Sequence, residues 1–120
     1  MSANVTALVT DLIFSTKITS TAKSLDVPVK VVRSVDALAE RLAAGDTALV
    51  LIDLHADGVD PIEAIAVTRR FADPPHTIAY GSHVQTDLAA AARHAGADEV
   101  LPRSAFTARL PEILKPTDAA

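Results

Sequence analysis

The stretch "LVLIDLHADG", residues 49–58, decides the fold. Four apolar residues, Leu49 to Ile52, run without a break into Asp53; Leu54 and His55 follow, and Gly58 lies just beyond. A run apolar on both faces suits a strand covered on both sides, as in a parallel sheet between helical layers. The full run, 47–54, is the strongest strand signal in the chain. It ends by delivering a single carboxylate next to low-dielectric surroundings. Such a group needs a hydrogen-bonding partner, a cation or a metal.

Working outward, short apolar runs alternate with helical patterns. Strands are predicted at 5–10, 28–33, 76–81 and 98–102. Ile18, Ala22 and Leu25 form a stripe for a helix near 15–25. Ser34 is placed to cap a helix at 35–44 whose Val35, Leu38 and Leu42 share a face, and Gly45 suits its left-handed end. Asp60-Pro61 is a start signal for a helix to about Phe71, closed by Asp73-Pro74-Pro75. Leu88, Ala91, Ala92 and Ala95 mark a fourth helix ending at Gly96. Phe106, Leu110, Ile113 and Leu114 share a face in a fifth, where Pro111 removes a backbone donor and predicts a broken or short helix. The expected tail after Lys115 is frayed.

Alternation of strand and helix with short loops predicts an α/β fold: one domain over 1–120, with an ordered core at about 4–115. Its sheet is parallel and doubly wound, with right-handed crossovers. Ligands and chemistry in such sheets gather at the carboxyl ends of the strands, near the reversal of strand order. The groups to inspect are therefore Thr10 and Asp11, Asp53 to His55, Gly81 and Ser82, and Pro102 to Ser104.

Composition narrows the function classes. With 120 residues the chain can enclose a core, and a net charge of −4 disfavours a nucleic-acid footprint. Three Phe, one Tyr and no Trp leave little for base stacking, and the absence of cysteine excludes disulfides and thiolate metal sites. No apolar run approaches the roughly 20 residues of a membrane span. "MSANVTALVTDL" lacks the basic segment of a signal peptide. The expectation is a cytoplasmic protein without nucleic-acid or membrane partners. His55, His76, His83 and His94 are scattered, with no pair on one helical face. There is no Gly-rich phosphate loop and no Ser/His/Asp nucleophile arrangement.

Asp53-x-His55-x-x-Gly58 also spells the signature in which a histidine ligates the cobalt of cobalamin. That chemistry needs room for the cofactor's tail, supplied by a later Gly-Gly. The four glycines here, Gly45, Gly58, Gly81 and Gly96, are nowhere adjacent. The motif also follows the third strand rather than the first. The match is read as a coincidence of short motifs.

Taken together, the spacings resemble the receiver domain of bacterial response regulators over nearly the whole chain. "ALVTD" resembles the first strand running into the acidic metal site. "LVLIDLHADGVDPIEAI" resembles the third strand, the phospho-acceptor aspartate and the loop into the third helix. "AAARHAGADEVLPR" resembles the fourth helix, the small-residue turn, the fifth strand and the basic residue that ends it. The resemblance implies a flavodoxin-like five-stranded sheet in the order 2-1-3-4-5 and a role in phosphorelay signalling, not an enzyme acting on a substrate of its own. It places the phospho-acceptor at Asp53, a Mg²⁺ site at Asp11, Asp53 and the His55 backbone carbonyl, and phosphoryl-pocket positions at Gly81, Ser82 and Arg103. A histidine kinase or phosphotransfer protein would be the donor. Since no output domain fits within 120 residues, the effect would pass to a downstream protein or through a homodimer.

The departures from the pattern are specific. One acid, Asp11, stands where the family has two, so Mg²⁺ should bind weakly or not at all. Gly81 replaces the strand-four hydroxyl, with Ser82 next. Arg103 replaces a lysine, a planar fork in place of a point charge. Ser104 stands for the following proline, and Ala56-Asp57 for a Met-Pro. Val100 stands at the aromatic switch position and cannot swing as a ring does. Two expectations follow: a receiver-like domain phosphorylated at Asp53, or a phosphorylation-independent protein–protein interaction module in which Arg103 pairs directly with Asp53.

Overall fold

The computed structural model describes residues 4–81 and 86–115. The elements alternate: β1 (Asn4–Leu8), α1 (Leu12–Ser24), β2 (Val29–Val32), α2 (Val35–Ala43), β3 (Thr47–Asp53), α3 (Pro61–Arg69), β4 (His76–Gly81), α4 (Thr86–Ala95), β5 (Glu99–Pro102) and α5 (Arg103–Ile113). All four strand pairings are parallel and the sheet order is β2-β1-β3-β4-β5. The order reverses between β1 and β3, which opens a crevice above their carboxyl ends.

The start signals act as their chemistry requires. Ser34 Oγ accepts from the Ala37 N–H at 3.0 Å, and Asp60 Oδ1 accepts from Ile62 and Glu63 N–H at 3.0 and 3.2 Å. Each satisfies donors that a helix start leaves unpaired. Gly45 closes α2 with φ +84°, in the left-handed region that costs a side chain but not glycine.

Two apolar layers sandwich the sheet. On one face, Leu38 and Leu42 of α2, Ala64 and Ile65 of α3, and Ala89 and Ala92 of α4 pack with Leu8, Val50, Ile52 and Ala79. On the other, Phe14, Ile18 and Ala22 of α1 and Phe106, Leu110 and Leu114 of α5 pack with Val5, Ala7, Leu51, Ile78 and Tyr80. Each fully buried Leu, Ile or Phe contributes about 1.5–3 kcal/mol by leaving water. Because strand side chains alternate, Asp53 falls on the same face as Leu51, the α1/α5 side.

Three expectations need correction. The first helix starts earlier than 15, since Asp11 caps it and Leu12 begins it. Ala91 is exposed, and the buried stripe of α4 is Ala89 and Ala92. The fifth helix is neither broken nor short: it runs 11 residues with Pro111 inside. Pro111 sits on the exposed side of the last turn, while Phe106, Leu110 and Leu114 are at most 1 % exposed. Burial of that face outweighs one missing hydrogen bond at a helix end.

Candidate functional site

Asp53 is the last residue of β3 and is 2 % exposed. Its two oxygens differ. Oδ1 accepts from the His55 backbone N–H at 2.9 Å, a short local turn that fixes the carboxylate plane. Oδ2 faces the Arg103 guanidinium, with Nη2 at 4.0 Å. That is an ion pair beyond hydrogen-bond range, so the charge is compensated while Oδ2 accepts no hydrogen bond among the described residues.

Arg103 is the first residue of α5, which places its side chain over the crevice. Its guanidinium carbon lies 5.2 Å from the centre of the Phe14 ring, a cation–π contact that holds it near Asp53. The expected meeting of Asp53 and Arg103 is thus present, though looser than a direct hydrogen-bonded bridge.

Asp11 ends the loop after β1. Its side chain is exposed and caps α1, accepting from the Ile13 N–H at 3.0 Å. Thr10 ties the rim together: its hydroxyl accepts from the Asp57 N–H at 2.8 Å, and its carbonyl accepts from Arg33 at 3.3 Å. The donors to a hard divalent cation would be the Asp53 and Asp11 carboxylates and the His55 carbonyl, all oxygen and so of the right kind for Mg²⁺. One Asp11 oxygen is engaged in the cap and Asp53 Oδ2 faces a cation. Among the described residues no group of three or more His, Cys, Asp or Glu side chains is placed to hold a metal ion.

Gly81 ends β4 and pairs with Pro102. A Cβ at Gly81 would lie 2.7 Å from His55 Nε2 and 2.9 Å from Cδ2, so the His55 ring rests where a side chain at this position would begin. Ser82 lies outside the described residues. Val100 is buried in the layer beneath α3 and α4, on the opposite face from Arg103's aromatic neighbours.

The sequence reading missed what lies under the site. Three of the chain's four aromatic residues, Phe14, Tyr80 and Phe106, form one cluster directly beneath Asp53 and Arg103. Tyr80 stacks on Phe106 at 4.1 Å and 14°, and Phe14 lies 5.1 Å from Tyr80 and 5.9 Å from Phe106. Tyr80 is the direct cross-strand neighbour of Asp53. Its hydroxyl is buried and has no protein hydrogen-bond partner among the described residues, as is also true of Arg103 Nε. Burial pushes the phenol pKa far up, the nearby Asp53 and Asp11 charges add to the rise, and Arg103 opposes it. That set of influences places the phenol within electrostatic reach of the whole site. The signal available in the sequence was a lone tyrosine one residue before the end of an apolar strand.

No protein-family model matches the sequence, and no curated protein does. Solved structures do match. A response regulator from Burkholderia pseudomallei, determined with a phosphorylated aspartic acid, a calcium ion and citrate, superposes with a TM-score of 0.81 at 17 % identity, covering 94 % of this chain and 66 % of that one. The fold is that of a receiver domain. The receiver domain of a DNA-binding response regulator from Colwellia psychrerythraea matches with a TM-score of 0.77 at 14 % identity, over 92 % of this chain and 96 % of its own. An orphan response regulator from Helicobacter pylori matches at 0.76 and 13 %, over 95 % and 98 %. The flavodoxin-like receiver fold in the order 2-1-3-4-5 is therefore established for this chain. No helix among the described residues is long and apolar enough to cross a membrane.

Proposed function

We propose that the chain is a receiver-like signalling domain that accepts a phosphoryl group on Asp53. The observation that carries this is the asymmetry of the Asp53 carboxylate. One oxygen is pinned by the His55 N–H at 2.9 Å, and the other is charge-compensated by Arg103 at 4.0 Å with no hydrogen bond to it among the described residues. A buried carboxylate held in one plane, with one oxygen open, is a prepared nucleophile.

In the transfer, Asp53 Oδ2 attacks phosphorus and forms a new P–O bond. The bond from phosphorus to the donor's imidazole nitrogen or acyl oxygen breaks, and the leaving group takes the electron pair and, where needed, a proton from solvent. Arg103 stabilises the charge that gathers on the phosphoryl oxygens. Mg²⁺, when bound by Asp53, Asp11 and the His55 carbonyl, supplies additional charge neutralisation. The donor would be a histidine kinase, a phosphotransfer protein or a small acyl phosphate, and the outcome is read by a downstream protein or a second copy.

A second reading has its own support. Arg103 pairs with Asp53, and Asp11 is committed to capping α1. An interaction module working without phosphorylation would have both features. Incubation with acetyl phosphate and Mg²⁺ separates the two. The first reading expects one added phosphoryl mass, lost in Asp53→Asn. An unchanged mass at every Mg²⁺ concentration would leave only the second.

A further inference from the structure

Arg103 stands off from Asp53. Its Nη2 is 4.0 Å from Oδ2, and its buried Nε has no partner among the described residues. That distance is about an ångström longer than a charge-assisted hydrogen bond. A guanidinium on a flexible side chain, beside a carboxylate nearly sealed from water, would ordinarily close the gap and pair through two N–H groups.

The contact that competes for it is the Phe14 ring, whose centre lies 5.2 Å from the guanidinium carbon. Attraction between a cation and an aromatic face, partly shielded from water, is of the same order as a charge-assisted hydrogen bond. The guanidinium is therefore shared between ring and carboxylate. The ring itself is anchored. Phe14 is 7 % exposed and lies 5.1 Å from Tyr80 and 5.9 Å from Phe106, which stack on each other at 4.1 Å. Phe106 belongs to α5, the helix that carries Arg103, so α1 and α5 meet in one aromatic cluster beneath the pair.

We propose that Phe14 is a positioning residue: its ring holds the Arg103 guanidinium near enough to Asp53 to offset the charge and too far to seal Oδ2. The inference rests on the acceptor reading given above, and it names what separates that reading from a locked Arg103–Asp53 pair. Without the ring, Arg103 moves onto Asp53 and competes with the incoming phosphoryl group. With the ring, the guanidinium turns to the phosphoryl oxygens once they arrive, since they carry more negative charge than the carboxylate.

A double-mutant cycle on the full chain tests this, with rates of modification by acetyl phosphate and Mg²⁺ read by intact mass. Phe14→Leu keeps apolar bulk but loses the ring, and slows acceptance about tenfold. Phe14→Tyr, which keeps the ring, recovers most of the rate. In an Arg103→Ala background, Phe14→Leu slows nothing further, because the group it positions is gone. Thermal denaturation confirms that each variant folds, and Phe14→Met takes the place of Phe14→Leu if the latter does not.

A folded Phe14→Leu that accepts phosphoryl at the wild-type rate overturns the proposal and leaves the acceptor reading intact. Equal slowing by Phe14→Leu with and without Arg103 does the same, since Phe14 would then act through packing alone. Wild type remaining unmodified overturns the acceptor reading and this one with it.

Discussion

The two ends of the sheet handle charge in opposite ways. At the amino end, His76 lies between two carboxylates, with Nδ1 3.5 Å from Asp98 and Nε2 3.2 Å from Glu99. Arg69 reaches Asp98 at 3.7 Å and Arg109 reaches Glu99 at 3.3 Å. The Thr77 N–H also donates to Asp98 at 2.8 Å. These groups are roughly a third to a half exposed, so water screens them and each pair contributes little. At the carboxyl end a single carboxylate is nearly sealed from water and faces a single cation at 4.0 Å. Dense pairing in a wet place is structural surface. Sparse pairing in a dry place leaves reactive capacity, and this contrast supports the proposed role for Asp53 over Asp98 or Glu99.

Changes at the carboxyl end should break this contrast most visibly. Arg103→Ala removes the only cation seen near Asp53 among the described residues, and phosphoryl acceptance from acetyl phosphate should slow by about a hundredfold. Arg103→Lys should recover part of that rate, since a point charge supplies the field without the planar fork. Intact-mass kinetics measure both. An unchanged rate in Arg103→Ala would mean that the pair is incidental.

Tyr80→Phe sharpens the comparison in stability. It keeps the stack on Phe106 and removes a buried hydroxyl that has no protein partner among the described residues. Stability should rise by about 1 kcal/mol in urea denaturation, since an unsatisfied buried polar group costs on that order. A loss of stability would show that the hydroxyl is hydrogen-bonded in solution.

The amino end should respond least. A hydrogen bond from His76, supplemented by Arg109 and opposed by partial burial, holds the Glu99 carboxyl below its ordinary value of 4.5. Its pKa is lower folded than unfolded, so its contribution is complete above that ordinary value. The contribution is lost as pH falls through the depressed folded value. Glu99→Gln should therefore flatten the acid side of the stability–pH curve slightly and leave neutral pH almost unchanged. Acid titrations of unfolding compare the two proteins directly.

Much of this architecture was legible because strand and helix signals agree with one another. The run before Asp53, the caps at Ser34 and Asp60 and the turn at Gly45 each follow from local chemistry, and local chemistry is what a sequence displays. Pro111 misled because its cost is local, whereas the burial of Phe106, Leu110 and Leu114 that overrides it is tertiary. The site was legible in part. Asp53 ends β3 and Arg103 follows β5, with β4 between them at the same end of the sheet, and their approach follows from strand order. The seating of His55 on Gly81 and the gathering of Phe14, Tyr80 and Phe106 under the site join residues far apart in the chain. Only the packing of α1 and α5 on one face of the sheet brings that aromatic cluster together.

The central claim is that Asp53 Oδ2 is an open nucleophile beside a compensating cation, not one locked into a pair. A crystal structure of the protein grown with beryllofluoride and Mg²⁺ tests this most directly. The account predicts density for the adduct on Asp53 Oδ2, with Arg103 donating to its fluorines. Arg103 hydrogen-bonded to both oxygens of an unmodified Asp53 at saturating beryllofluoride would contradict it.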